Sequence, residues 1–87
     1  MERFRRDSKI PFQEIEGRAV LVVPARREAH ELDEVATFLW ARLKTEQTLD
    51  DLADAVCESF EVDRPSAVRD VRAFLELLEA KGLAART

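Results

Sequence analysis

The side chains able to do chemistry are few and scattered. The chain has one His, one Cys and no Tyr. His30 has no Ser or Cys elbow near it to activate, and Ser59 and Ser66 sit in helical contexts without flanking glycines, so no nucleophile motif is present. One His with one Cys cannot make an ordinary zinc or iron site, and a single Cys excludes an internal disulfide framework. Nothing basic precedes Cys57 within one turn, which makes it a small buried hydrophobe rather than an activated thiol. No Gly-rich phosphate loop occurs, and the carboxylates alternate with cations on helix faces, the pattern of a solvated surface. Catalysis and a bound cofactor therefore have little to stand on, and binding is the chemistry left.

Composition points the same way. With 87 residues, 46% hydrophobic and 37% charged, the chain has room for one small domain with a core. A domain of this size buries only about 60% of its unfolded surface and has little volume for a closed active site. The longest apolar run, Ala19 to Val23, is far short of the roughly 20 residues that span a bilayer. Charged residues follow Met1 where a secretory signal would be apolar. The net charge of −4 opposes a nucleic-acid binder, whose surface is usually basic. A cytoplasmic binding module is expected, with neither nucleic acid nor membrane as partner.

The elements that must carry a binding surface can be read in order. Met1 to Lys9 holds Arg3, Arg5, Arg6 and Lys9 against Glu2 and Asp7. It reads as a solvated tail over about residues 1–10, or as a basic patch for an acidic partner. Phe12, Ile15 and the run Val20 to Val23 predict strands at 12–16 and 18–23, with Glu16-Gly17 as the hairpin turn. Pro24 ends the second strand. Glu28-Ala-His-Glu-Leu32 predicts a short third strand, whose polar character suits an edge protected from indiscriminate pairing.

Three amphipathic helices follow. Asp33 caps the first, over about 33–44, with Val35, Ala36, Leu39, Trp40 and Leu43 on one face and Phe38 extending it. Thr48 caps the second, about 48–60, where Thr48 with Asp51 fits a capping box. Pro65 opens the third, about 65–81, and Gly82 stops it with a Schellman-type cap closed by Leu83. Ala84 to Thr87 reads as a short tail. Three strands then three helices predict an α+β domain, with the helices on one face of an antiparallel sheet.

Helix three has a wider apolar arc than a surface helix needs: Leu77 lies about 100° from Leu78, and Val68 about 80° to the other side. Either it is a central helix packed all round, or one flank lies open as a groove beside the third strand. Asp70 sits beside Phe74 and Leu77, as a partly buried acceptor or as a rim residue. An exposed apolar face would equally serve a homodimer.

Three blocks of this sequence resemble the PqqD-like family. Glu28-Ala-His-Glu-Leu-Asp-Glu-Val-Ala-Thr-Phe-Leu-Trp40 is similar to the family's block of a strand, Leu-Asn/Asp-Glu-x-Ala and aromatic-aliphatic-Trp. Thr48-Leu-Asp-Asp-Leu-Ala53 with Phe60-Glu-Val62 is similar to the second block. Asp70-Val-Arg-Ala-Phe-Leu-Glu-Leu-Leu-Glu-Ala-Lys-Gly-Leu83 is similar to the third. Together they span about residues 12–83, and Asp33 stands where Asn is commoner. The resemblance implies a winged helix-turn-helix-like fold. It also implies a recognition element for the leader of a ribosomally synthesised precursor peptide, as in lasso-peptide or related pathways. Its partners would be that leader peptide and a modifying enzyme such as a protease, cyclase or radical enzyme. The leader would add a strand to the third strand and lie against helix three. Carried onto this chain, the pairing edge is Ala29, His30, Glu31 and Leu32, with Leu32 alternatively in the core. One groove wall is Val68, Arg69, Arg72 and Leu75; the competing wall is Asp70, Phe74 and Leu77. If the His30 N–H points outward, Pro at that position removes an edge donor.

Overall fold

The computed structural model describes all of residues 1–87. Its elements are β1 (Phe4–Arg6), β2 (Phe12–Ile15), β3 (Arg18–Val23), β4 (Glu28–Glu31), α1 (Glu34–Arg42), α2 (Leu49–Ser59), α3 (Arg64–Ala80) and β5 (Ala84–Arg86). A three-stranded antiparallel sheet has the order β2-β3-β4 and leads into the three helices. The expected α+β, winged helix-turn-helix-like arrangement is thus present.

Local chemistry accounts for the boundaries. Glu16 and Gly17 both take positive φ, 54° and 78°, the conformation a two-residue hairpin of matching twist requires. Along β3, Ala19, Leu21 and Val23 are buried while their neighbours are not, the period-2 pattern of a strand with one covered face. The Asp33 side chain accepts from the Ala36 N–H at 2.8 Å. Thr48 and Asp51 exchange both capping-box bonds at 3.0 Å. At the end of α3 the Leu83 N–H donates to the Leu78 carbonyl and the Gly82 N–H to that of Glu79, with Gly82 at φ 70°. This is the Schellman pattern, and Leu83 and Leu78 are both buried beside it.

The core lies between the inner face of the sheet and the helices. Leu21, Trp40, Leu43, Leu52, Val71, Leu75 and Leu78 are almost fully enclosed. Trp40 fills it as a core residue, with Phe12 packed edge-on against it at 5.9 Å. Cys57 is half-buried beside the α2 stripe.

The two stretches read as tails require correction. β1 pairs antiparallel with β5, Phe4 opposite Arg86 and Arg6 opposite Ala84. Phe4 is buried in the core, and its N–H donates to the Gln47 carbonyl at 2.8 Å. Arg86 binds Glu79 of α3 and Glu2, so the ribbon is tied to α3 as well as to itself. Strands of three residues leave almost no periodicity to read, and the cations of the N-terminal stretch mask its one buried residue.

Candidate functional site

The sheet has two free margins, and the register settles which groups each presents. In β3–β4, Leu21 faces His30 and Val22 faces Ala29. The Leu32 N–H donates to the Ala19 carbonyl at 2.8 Å. In an antiparallel ladder, bonded and non-bonded pairs alternate. The pairs Leu21–His30 and Val23–Glu28 are therefore the bonded ones. The N–H and C=O of Ala29 and Glu31 point away from β3, to the open side. The His30 N–H points inward, so it is not an edge donor, and the expectation that Pro at His30 would remove one is corrected.

Leu32 does not belong to the margin. Its side chain is buried. Its carbonyl accepts from Arg18 Nε at 3.2 Å and from the Thr37 hydroxyl, whose oxygen also accepts from the Ala19 N–H. Thr37 thus takes the ladder bond that Ala19 and Leu32 would otherwise share, and the chain leaves the sheet there.

Side chains alternate as the backbone does. Ala29 and Glu31 are exposed on the outer face, where Glu31 pairs with Arg18 at 3.1 Å. Glu28 and His30 turn toward the helices and are half-buried. Lys81, at the end of α3, reaches Glu28 Oε2 at 3.2 Å, and Arg26 donates to the Ala80 carbonyl at 3.4 Å. The hydrogen bond from Lys81 holds the Glu28 carboxyl below its ordinary pKa. His30 Nε2 lies 3.3 Å from the same carboxylate but misaligned, and is buried without a hydrogen bond.

These bonds show which flank of α3 borders β4. At about 100° per residue, Asp70, Phe74, Leu77 and Lys81 form one row, which begins at the Lys81 anchor. Phe74 is buried, Leu77 is 46% exposed and the Asp70 side chain 57% exposed, so Asp70 is a rim residue. Val68, Arg72 and Leu75 lie about half a turn away. Arg72 and Leu75, with Phe4, Glu76, Glu79 and Arg86, line a cavity of about 370 Å³ under the terminal ribbon. Arg69 stands in solvent between the flanks, 3.7 Å from Asp70. The row of Asp70, Phe74 and Leu77 is thus the one in line with the Lys81–Glu28 anchor to β4, whereas Val68, Arg69, Arg72 and Leu75 are not. Periodicity locates both flanks, but only the Lys81–Glu28 and Arg86–Glu79 pairs orient the helix.

No cluster of three or more His, Cys, Asp or Glu side chains is placed to hold a metal, and no helix is long and apolar enough to cross a membrane. On α3, Arg64, Arg69 and Arg72 are matched by Asp70, Glu76 and Glu79, and Arg64 is bound to Asp50 and Asp54 of α2. The charges of α3 therefore sum to zero.

Fold and margin together define a small winged-helix-like domain with an unpaired strand beside a half-open helix flank. The PqqD family profile, described as coenzyme PQQ synthesis protein D, matches residues 18–84, and the chain belongs to that family. A solved structure of TbiB1 in complex with the TbiA(beta) leader peptide is similar at 29% identity and a TM-score of 0.81, over 92% of this chain and 93% of that one. A lasso peptide synthetase B1 complexed with the leader peptide is similar at 27% identity and a TM-score of 0.80, over 94% and 96% of the two chains. No curated protein sequence matches significantly.

Proposed function

We propose that this domain binds the leader segment of a ribosomally synthesised precursor peptide and presents it to a modifying enzyme, without catalysing a step itself. The observation that carries this is the outward row of Ala29 and Glu31 backbone groups on a strand that Glu28 ties to Lys81, the residue that ends the Asp70–Phe74–Leu77 row of α3. An extended peptide pairing there draws affinity from main-chain bonds and selectivity from side-chain positions on α3. The half-exposed Leu77 is open to the side chains that alternate toward the helix. The likeness to two leader-peptide complexes supports the same reading, and favours a lasso-peptide or related pathway in the cytoplasm, where ribosomal precursors are made. The enzyme partner is a protease, cyclase or radical enzyme.

The test is an amide NMR titration of the ¹⁵N-labelled chain with a synthetic leader taken from the open reading frame beside its gene. Shifts and exchange protection at Ala29 and Glu31, with shifts along Phe74 and Leu77, are expected. Shifts confined to the terminal ribbon and α2 would overturn the reading.

A further inference from the structure

The opposite margin of the sheet is open as well. In β2–β3, Phe12 faces Leu21 and Gln13 faces Val20, and the Val22 N–H donates to the Pro11 carbonyl at 2.9 Å. The same alternation leaves the N–H and C=O of Phe12 and Glu14 pointing outward, unpaired. A cavity of about 360 Å³ adjoins the Phe12 end, lined by Arg5, Arg6, Lys44, Asp7, Ile10 and Phe12 among others. Three cations against one carboxylate is a local excess of the sign opposite to the chain's net −4.

None of the three cations is ion-paired, whereas Arg18, Arg64, Arg69, Lys81 and Arg86 are and the remaining cations of the chain are not. Arg6 is also held in place. Its guanidinium lies 4.9 Å from the Phe12 ring centre and 5.2 Å from that of Trp40, and Nη1 donates to the Trp40 carbonyl at 2.9 Å. One of its five donors is thereby used by the protein, on an otherwise unsatisfied carbonyl of the last turn of α1. Partial burial pulls its pKa below the ordinary value, the mark of a charge partly stripped of water without a counter-ion.

We propose that this surface docks an extended acidic segment of a partner protein, which adds a strand to β2 through Phe12 and Glu14 and sets a carboxylate on Arg6, flanked by Arg5 and Lys44. The evenly repeated amide donors and acceptors of a strand edge match an extended polypeptide and not a sugar-phosphate chain. The fixed guanidinium supplies the forked donors that suit a carboxylate. The surface is independent of the β4 margin: two strand spacings, about 10 Å, separate them, so both can be filled at once. A domain that holds a peptide on one margin and a second protein on the other joins the two without a conformational change.

The test uses two capped pentapeptides of alternating valine with glutamate or with lysine, titrated into the ¹⁵N-labelled full chain. The glutamate peptide is expected to shift the amides of Phe12 and Glu14 and the Arg6 Nε–H signal. Its affinity should fall at least fivefold in the Arg5→Glu/Lys44→Glu double variant, which should instead prefer the lysine peptide. Both replaced side chains are exposed, and Arg6, which holds the end of α1, is untouched, so the fold is retained. Absent shifts, an equal response to the lysine peptide, or shifts at Ala29 and Glu31 instead would overturn the proposal. So would a single-stranded oligonucleotide that displaces the peptide from Arg6 while leaving Phe12 and Glu14 unmoved. Leader binding reads out on different amides of the same spectra, so either surface can fail alone.

Discussion

The two flanks of α3 have been treated oppositely by the rest of the chain. On one, the ends of the polypeptide close over the helix: Phe4 is sunk into the core, and Arg86 grips Glu79. On the other, only the helix end is tied to β4, whose outward amides are unpaired, and Leu77 remains 46% exposed. Both flanks carry apolar residues at helical spacing, and both have charged rims. The difference is that one has been given a partner from within the molecule. An apolar stripe on a helix thus says that something covers it and leaves open whether the cover is the chain itself or another molecule.

The largest effect that separates the flanks is expected at Phe4. Phe4→Ala removes the one buried side chain of the ribbon and should cost about 3 kcal/mol, a large part of the stability of so small a domain. Urea denaturation reads this, and an unchanged midpoint would mean that the closed flank needs no ribbon. On the open flank the signs reverse. Leu77→Ala should leave the midpoint nearly unaltered while weakening leader binding about tenfold, from roughly 1.4 kcal/mol of lost apolar burial. Arg72→Ala, on the ribbon side, should leave leader affinity as it was; fluorescence anisotropy with a labelled leader distinguishes the two.

A smaller effect is expected at the margin itself. Ala29→Pro deletes one outward donor and should weaken the leader about fivefold, the worth of one net hydrogen bond. His30→Pro deletes an inward donor, so its first consequence should be a lower unfolding midpoint. If the two substitutions behave alike, the margin is not read through its backbone.

The smallest effect concerns the tie between β4 and α3. Lys81 lowers the pKa of Glu28 below its ordinary 4.5. A carboxyl with a depressed folded-state pKa contributes stability that is present above its unfolded value and lost as pH falls through the folded one. The Glu28→Gln variant should therefore be slightly less stable than the parent at pH 6, and the gap should close as the pH drops from about 4.5. Asp51 and Asp63, lowered by their capping bonds to Thr48 and Ser66, titrate in the same range in both proteins and cancel in the difference.

Much of this architecture is legible in the sequence because it is local. Asp33, Thr48 with Asp51, Pro65 and Gly82-Leu83 mark the helix ends by bonds made within a few residues, and Glu16-Gly17 marks the hairpin in the same way. The third strand could be placed although its residues favour helix, because the turn before it and the cap after it leave room for nothing longer. The terminal ribbon could not, since its pairing joins residues more than 75 apart with three residues on each side.

By itself the sequence determined the hairpin, the third strand and the three helices, their order, the family resemblance and the two candidate walls of α3. Tertiary structure alone decided which wall lies in line with the anchor to β4, that Leu32 is core, and that Ala29 and Glu31 rather than His30 offer their amides. The reason is physical. Caps and turns are closed by neighbours in the chain, whereas the rotation of a helix and the parity of a strand are fixed by distant partners such as Glu28 with Lys81 and Ala19 with Leu32.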